Sequence, residues 1–206
     1  MLSLYEFIRH SVDKDSTMLV TSIAYAQPHF HDDLEISYVL EGSLKIYIET
    51  ECCILNAGDI AVIDSGTIHR VEPIANGKMN VVLMMWMMPE LLGKSYMDRT
   101  TQVGFWGGNG FGGEKRTALN QMVFFMRNAM SEAQKRSDGW VFRYRADIIQ
   151  IAGLLDTHFG HPAAEYQTVQ SHEHPRQICA GIAVLVSNIG EIDFRIIMFL
   201  QVGLYL

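Results

Sequence analysis

Cysteine and basic residues are both scarce in this chain of 206 residues. The three cysteines include the adjacent pair Cys52 and Cys53, and such an odd count does not make a disulfide framework. We therefore expect reduced thiols and a cytoplasmic location. Lysine and arginine number 16 against 23 acidic residues, and the sequence has no basic block that would follow a phosphate backbone. The chain taken alone is a poor candidate for binding nucleic acid.

Long apolar runs are also missing, although apolar residues make up 49% of the chain. No run approaches the roughly 18 residues that would indicate a transmembrane helix, so no membrane partner is expected. The first residues lack the basic-then-apolar layout of a signal peptide. The apolar content is nonetheless enough for a substantial core, which excludes wholesale disorder.

The first half of the chain has the pattern of many short strands. Branched and aromatic residues are concentrated in short runs, and turn sequences such as Glu41-Gly42-Ser43 separate these runs. Many short strands joined by tight turns favour an antiparallel sandwich or barrel. The predicted strands are 18–26, 34–40, 43–55, 59–64, 69–74 and 79–87.

The second half has the pattern of helices. Apolar residues recur every three or four positions in 114–136 and in 139–159, which predicts two long helices that each have an apolar face. Pro89 suits the start of a short helix over 89–97, and a glycine-rich loop occupies 104–113. We therefore expect a mainly β protein with C-terminal helices.

The stretch PHFHDDLEISYVLEG, residues 28–42, places histidines and acids where a strand is predicted. His29, His31 and Glu35 occupy alternate positions, so they share one face if the strand begins that early. His69 follows the predicted turn at Ser65-Gly66. Imidazole nitrogens together with one carboxylate suit Fe, Mn, Ni, Cu or Zn. Each of these residues alone is more often a polar residue at the mouth of a fold, and it is their joint spacing that favours a site.

Two segments resemble the two motifs of the cupin family. Residues 28–42 are similar to the first motif, and GDIAVIDSGTIH, residues 58–69, is similar to the second. The second segment departs from the family pattern at Asp64, which replaces a proline, and at Pro73, which replaces an asparagine. The resemblance implies a cupin-like double-stranded β-barrel. It also places four residues on the metal-ligand positions of that family, for the case that the site is metallated: His29, His31, Glu35 and His69.

A longer phrase, from His29 to about Pro73, resembles the N-terminal sensor domain of AraC-type transcription regulators, the AraC/XylS family. This resemblance implies a barrel that binds a small effector, often a sugar, followed by two antiparallel long helices used to form a homodimer. A linker and a helical DNA-binding domain come next in that family. The implied divisions are 1–100 for the barrel, 101–160 for the helical dimerisation region, 161–175 for the linker, and 176–206 for the start of the DNA-binding domain.

The C-terminus departs from that family. Residues 176–188 fit the first helix of its DNA-binding domain, but no recognition helix with basic and polar residues follows. We therefore expect a truncated member, and a shifted reading frame is one of the explanations for its last residues. DNA would be contacted only through a C-terminal domain that is largely absent here.

Several residues are candidates for contacting the effector, and each has a plainer interpretation. Trp86 lies in the methionine-rich run VVLMMWMMPE and either stacks on a sugar or packs in the core. Asp64 either orients an imidazole or serves as a turn residue before Ser65. The full set of effector-binding candidates is His29, His31, Glu35, Asp64, His69 and Trp86.

Two functions follow from these observations. The first is the sensing and dimerisation portion of a regulator, with no catalytic residues and no required cofactor, although a divalent transition metal is possible. The alternative is a metal-dependent small cupin enzyme, an isomerase or dioxygenase, in which open metal positions would take substrate. No separate general acid or base is evident in the sequence, which favours the sensor.

Overall fold

The computed structural model of the chain describes residues 4–10, 15–23, 25–72, 74 and 80–163. The strands in these ranges are β1 (Leu4–Tyr5), β2 (Ser16–Thr21), β3 (Ala26–Phe30), β4 (Leu34–Glu41), β5 (Ser43–Ile48), β6 (Glu51–Asn56), β7 (Ile60–Ile63), β8 (His69–Glu72), β9 (Val81–Met87), β10 (Thr101–Gln102), β11 (Phe105–Gly107) and β12 (His161–Pro162). The helices are a 3-10 helix (Pro89–Leu92), α1 (Lys94–Met97), α2 (Gly113–Lys135) and α3 (Trp140–Phe159).

Ten of these strands form two five-stranded sheets. The first sheet has the order β1-β3-β8-β5-β6, and the second sheet has the order β11-β7-β4-β9-β2. The mainly β prediction is confirmed. A closed barrel is not formed, because no strand pairing among the described residues joins the two sheets. The chain instead passes from one sheet to the other through short turns.

Glycines at positive φ stand at three of these passages. Gly42 (φ 78°) lies between β4 and β5, Gly58 (φ 91°) lies between β6 and β7, and Gly66 (φ 77°) lies between β7 and β8. This left-handed backbone is accessible to glycine at little steric cost. A side chain at Gly58 would also lie 3.2 Å from Oδ1 of Asn109. The glycines of the two sequence motifs therefore make the sharp passages that hold the two sheets face to face.

The second sheet is buried on both of its faces. Leu34, Ile36 and Met85 are 0% exposed and point toward the helices, whereas Val39 and Val82 are 0% exposed and point toward the first sheet. The core between the sheets consists of Val39, Leu44, Ile46, Ile48, Leu55, Ala61, Ile63, Val71, Val82, Met84, Trp86 and Trp106. The core under the helices includes Leu34, Ile36, Ile60, Val62, Leu83, Met85, Met87, Leu119, Met122, Met126, Ile148, Ile151 and Leu155.

Several strand boundaries differ from the prediction. The predicted strand 43–55 is the hairpin of β5 and β6, which turns at Glu49 with φ 52°. The histidine stretch is also divided, since β3 ends at Phe30 and β4 begins at Leu34. The assumption that His29, His31 and Glu35 share one strand face is therefore wrong. Neither turn contains a glycine or a proline, the strongest turn signals, so the sequence did not mark them.

The helices lie close to their predicted positions. α2 and α3 pack on each other, and the Arg143 guanidinium contacts Oε2 of Glu132 at 2.8 Å between them. The predicted helix 89–97 is divided at Gly93, whose φ is 79°. No helix in the described part of the chain is both long enough and apolar enough to cross a membrane.

The glycine-rich loop 104–113 is packed down on the protein. β11 pairs with β7 at the edge of the second sheet, so the sheet extends beyond residue 100. The Phe105 ring stacks on Phe159 with ring centroids 4.0 Å apart. The predicted linker starts at β12, which pairs with β10, and its later part lies outside the described residues. The predicted DNA-binding segment 176–206 lies outside them as well.

A buried hydroxyl pair fastens α3 to β2. The Tyr144 hydroxyl donates to the carbonyl of Ser16 at 3.1 Å, and the two side-chain oxygens are 2.6 Å apart. Tyr144 is 1% exposed and Ser16 is 0% exposed. Burial raises the pKa of Tyr144 to about 12, so the phenol stays neutral at ordinary pH.

The substitution Tyr144→Phe is expected to lower the free energy of unfolding by about 1–3 kcal/mol, because it leaves buried polar groups of Ser16 without a partner. Urea denaturation followed by circular dichroism measures this change. Tyr25→Phe is the matched control, since Tyr25 is 64% exposed and should tolerate the same change. Equal urea midpoints for the two variants would contradict this account of the Tyr144 contact.

Candidate metal centre

The structure brings together the four predicted metal ligands from both sheets. His29 on β3 and His69 on β8 are directly paired neighbours in the first sheet. Glu35 lies on β4 of the second sheet, and His31 lies in the turn between β3 and β4. One ligand atom from each residue lies within 4.8 Å of all the others. The four residues, here called the ligand cluster, therefore converge although they do not share a strand.

The backbone fixes the orientation of each imidazole in the ligand cluster. Each Nδ1 lies within hydrogen-bond distance of a carbonyl oxygen two residues away. Because a carbonyl only accepts, each Nδ1 carries the proton and donates it. In the neutral imidazole the Nε2 atom is then left with a lone pair for a cation. The contacts are His29 to Gln27 at 2.7 Å, His31 to Asp33 at 2.9 Å, and His69 to Thr67 at 2.9 Å.

The Glu35 carboxylate is the centre of the cluster and is 3% exposed. Its Oε2 atom lies 3.1 Å from Nε2 of His31 and 3.3 Å from Nε2 of His69. The Trp86 indole N–H donates to the same oxygen at 3.1 Å. The Ser37 hydroxyl donates to Oε1 at 2.8 Å. Trp86 and Ser37 therefore orient the carboxylate toward the histidines.

The charges of the cluster support one another. Burial would raise the pKa of Glu35, but the hydrogen bond from His31 and the charges of His31 and His69 outweigh it and hold that pKa well below its usual range. Burial also opposes protonation of His31, yet Glu35 outweighs it and raises the pKa of His31. Burial and the neighbouring His69 lower the pKa of His29. The cluster thus holds an ionised carboxylate in a buried position, where a neighbouring cation is strongly favoured.

A divalent transition metal fits these residues. Nε2 of His69 is buried and has no hydrogen-bond partner among the described residues, because its 3.3 Å contact with Glu35 lacks hydrogen-bond geometry. A buried polar atom without a partner is costly, and a cation among the four ligands would satisfy it. Three imidazoles and one carboxylate are ligands that Mn, Fe, Co, Ni, Cu and Zn accept.

Asp64, a predicted effector residue, is not part of the ligand cluster. Its carboxylate accepts hydrogen bonds from the backbone N–H of Val103 at 3.1 Å and of Gly104 at 2.9 Å. Burial raises the pKa of Asp64, and these two N–H groups partly offset that effect. The side chain thereby fastens the segment before β11 to the end of β7, a role that neither of its two sequence interpretations included.

Sequence reasoning missed two residues near the cluster. Ser37 lies two positions after Glu35 on β4, so the strand alternation placed it on the same face and could have identified it. Glu6 approaches Nε2 of His29 with its Oε2 atom at 3.3 Å. Nothing in the sequence indicated Glu6, because its position depends on the pairing of β1 with β3.

Comparison with known proteins identifies the class of the sheet region. Residues 18–87 match the Cupin_2 family, described as a cupin domain, so the chain contains a cupin domain. No curated protein matches the chain. The resemblance to AraC-type regulators stays a prediction.

Three similar solved structures are distant from this chain. A conserved protein of unknown function from Streptococcus pyogenes is 20% identical over 37% of this chain and 68% of its own, with a TM-score of 0.34. A cupin-2 domain protein from Shewanella frigidimarina is 23% identical over 34% and 69%, with a TM-score of 0.31. Oxalate decarboxylase from Bacillus subtilis is 18% identical over 37% and 22%, with a TM-score of 0.33. The matched region thus spans about a fifth of the decarboxylase.

The substitution Asp64→Asn is expected to lower the free energy of unfolding by about 1–3 kcal/mol, because the amide presents an N–H group to one of two backbone N–H donors. Chemical denaturation measures the loss, and Asp156→Asn at an exposed position of α3 is the control. The imidazole NMR signals of the ligand cluster should keep their wild-type positions. Displaced imidazole signals with unchanged stability would instead show that Asp64 belongs to the binding site.

Proposed function

We propose that the chain is a metal-dependent ligand-sensing module, the effector-binding and dimerisation portion of an AraC-type transcription regulator in the cytoplasm. The observation that carries the proposal is the convergence of three imidazole Nε2 atoms, each fixed by its own backbone carbonyl, on one buried carboxylate. The effector is a small polar metabolite of the sugar class. DNA is contacted only through the C-terminal domain of an intact regulator.

The metal would be held by the four residues of the ligand cluster. When bound, it supplies a Lewis acid that can anchor hydroxyl or carboxylate oxygens of a small ligand. Ser37 and Trp86 hold Glu35 in position through both of its oxygens. Because both Glu35 oxygens accept these hydrogen bonds and the carboxylate would also ligate the metal, Glu35 is poorly placed to act as a mobile general base. This restraint favours a binding site over the alternative, a small cupin isomerase or dioxygenase.

The second sheet is the route from the site to the helices. Glu35 faces the first sheet, and its neighbours Leu34 and Ile36 on β4 pack under α2 and α3. Trp86 is placed in the same way between Met85 and Met87 on β9. A ligand that binds one arrangement of this sheet more tightly than another would shift the population of helix positions. In an intact regulator those helix positions would set the geometry of the attached DNA-binding domains.

The helices also provide a surface for a second copy of this chain. We infer that α2 and α3 form an antiparallel pair whose free face includes Phe142, Ala146, Ile149 and Gly153 on α3. These four residues are spaced by four, three and four positions, which gives the narrow stripe of a helix–helix seam. Phe142 is 78% exposed and Ile149 is 59% exposed. A side chain built at Gly153 would meet nothing within 4 Å, so the stripe lies open to a close partner.

Metal analysis tests the binding site. Protein purified without chelator and without a nickel affinity column is expected to carry about one divalent transition metal per chain. Inductively coupled plasma mass spectrometry measures this metal content. His31→Ala should lose this metal, because it removes one of four converging donors. His158→Ala at the end of α3 is the matched control and should retain it. Metal-free wild-type protein that also fails to take up added Co²⁺ would contradict the metal site.

The same preparations separate a sensor from an enzyme. Sugars are screened for those that raise the melting temperature of the metal-loaded protein but not of His31→Ala. A sugar recovered unchanged after binding supports the sensor. A sugar that is recovered as an isomer or as an oxidised product would contradict the sensor hypothesis and support the enzyme hypothesis.

The dimer is tested by analytical ultracentrifugation over a dilution series. Wild-type protein is expected to dissociate from dimer to monomer with dilution, and Ile149→Glu is expected to be monomeric because it places a charge in an apolar seam. Ile54→Glu on β6 is the control, since Ile54 is 41% exposed and lies in the first sheet. A wild-type monomer at every concentration would contradict the seam.

A further inference from the structure

The first described residues form an arm along the edge of the first sheet. This arm, residues 4–10, starts with β1, which runs parallel to β3 and pairs Leu4 with His29 and Tyr5 with Phe30. The backbone N–H of Glu6 then donates to the Phe30 carbonyl at 2.9 Å. The arm is thereby held beside the strand that carries one of the metal ligands.

This register brings the Glu6 carboxylate to the ligand cluster. Its Oε2 atom lies 3.3 Å from Nε2 of His29, the nitrogen that is left for a cation because Nδ1 is held by the Gln27 carbonyl. The Glu6 side chain is 44% exposed, whereas the side chains of His31, Glu35 and His69 are at most 4% exposed. Glu6 therefore stands on the solvent side of an otherwise buried site.

We propose that Glu6 is a fifth residue of the metal centre, and its second acidic one, and that cation binding fastens the arm over the site. This inference rests on the proposed metal-binding function. The four cluster residues supply a single carboxylate, so a divalent cation held by them alone leaves one net positive charge in a desolvated position. The Glu6 carboxylate neutralises that charge from the solvent side, where attraction between opposite charges is less screened than in bulk water.

The arm itself is weakly attached, so a small additional attraction can change its position. Tyr5 is 51% exposed and Phe7 is 73% exposed, and of the arm's large apolar side chains only Ile8 packs against the core between the sheets. Its side-chain contacts with the turn after β3 are the Tyr5 hydroxyl on Asp32 at 2.9 Å and His10 on Asp33 at 2.5 Å. Segments with so few buried contacts open at low free-energy cost. Because coupling is reciprocal, an arm that strengthens cation binding is itself strengthened by the cation.

Calorimetric titration with Co²⁺ of the full chain, stripped of metal by a chelator, tests the inference. Glu6→Gln keeps the size and hydrogen-bonding reach of the side chain and removes only its charge. We expect about a tenfold weaker affinity for Co²⁺, the lower end of the loss found when a residue supporting a metal site is removed. Glu114→Gln, which removes one exposed charge at the start of α2, should bind Co²⁺ as wild type does.

Hydrogen exchange of residues 4–10, followed by mass spectrometry, provides the second readout. Co²⁺ should slow exchange in the arm of the wild-type protein, since the cation fastens Glu6 and its backbone N–H. The same addition should leave the arm of Glu6→Gln unchanged. A structural role of Glu6 in packing alone would alter arm exchange in the metal-free protein and would not alter the response to Co²⁺.

The outcomes separate this inference from the function on which it rests. Wild-type binding with an equal affinity in Glu6→Gln overturns the role of Glu6 and leaves the metal site standing. Equal arm exchange with and without Co²⁺ in a wild-type protein that binds the cation overturns the fastening of the arm. A wild-type protein that does not bind Co²⁺ overturns both the role of Glu6 and the metal-binding function.

Discussion

The buried carboxylate of Glu35 is the constraint on which the rest of the site depends. An ionised group at 3% exposure is costly unless polar partners surround it. The partners come from both sheets: His69 belongs to the first sheet, and Ser37 and Trp86 belong to the second. The two sheets must therefore approach each other closely enough to satisfy one side chain. The sharp glycine turns between the sheets allow this approach, and the apolar core between the sheets stabilises it.

The second sheet connects the site to the helices, because one of its faces contributes to the site and the other packs under α2 and α3. Its strands alternate between polar residues of the site and apolar residues that pack under α2 and α3, so neither face of the sheet can move without the other. Most strands of a small antiparallel sheet have one face in water. Here β7 and β9 have none, which explains their nearly continuous apolar sequences, whereas β4 is buried on both faces but carries Glu35 and Ser37 on the face of the site. A site built on such a sheet is mechanically tied to the helices.

The sequence was sufficient for the cupin domain, the two helical segments and the four residues that converge, because each depends on residue types at fixed spacing. The reasoning about how His29, His31 and Glu35 converge was nevertheless wrong, since β3 and β4 belong to different sheets and His31 lies in the turn between them. Local patterns do not show that such a passage leads from one sheet to the other, because the partners of each strand lie far away in the sequence. Contacts that depend on long-range pairing were equally invisible. The bonds from Asp64 to Val103 and Gly104 span about forty residues, and the approach of Glu6 to His29 depends on a two-residue parallel pairing.

The residues of the site come from both sheets, and this arrangement suggests how a bound ligand would affect the whole fold. Trp86 and Ser37 fix Glu35 from the side of the second sheet, while His29 and His69 belong to the first sheet. A cation bound by all four ligands would therefore link the sheets directly, and a ligand that altered its coordination would act on both sheets at once. A ligand shifts a conformational equilibrium only by the difference in its affinity for the two states. A binding site that bridges two sheets, one of which packs against the helices, is a physical arrangement in which such a difference can arise.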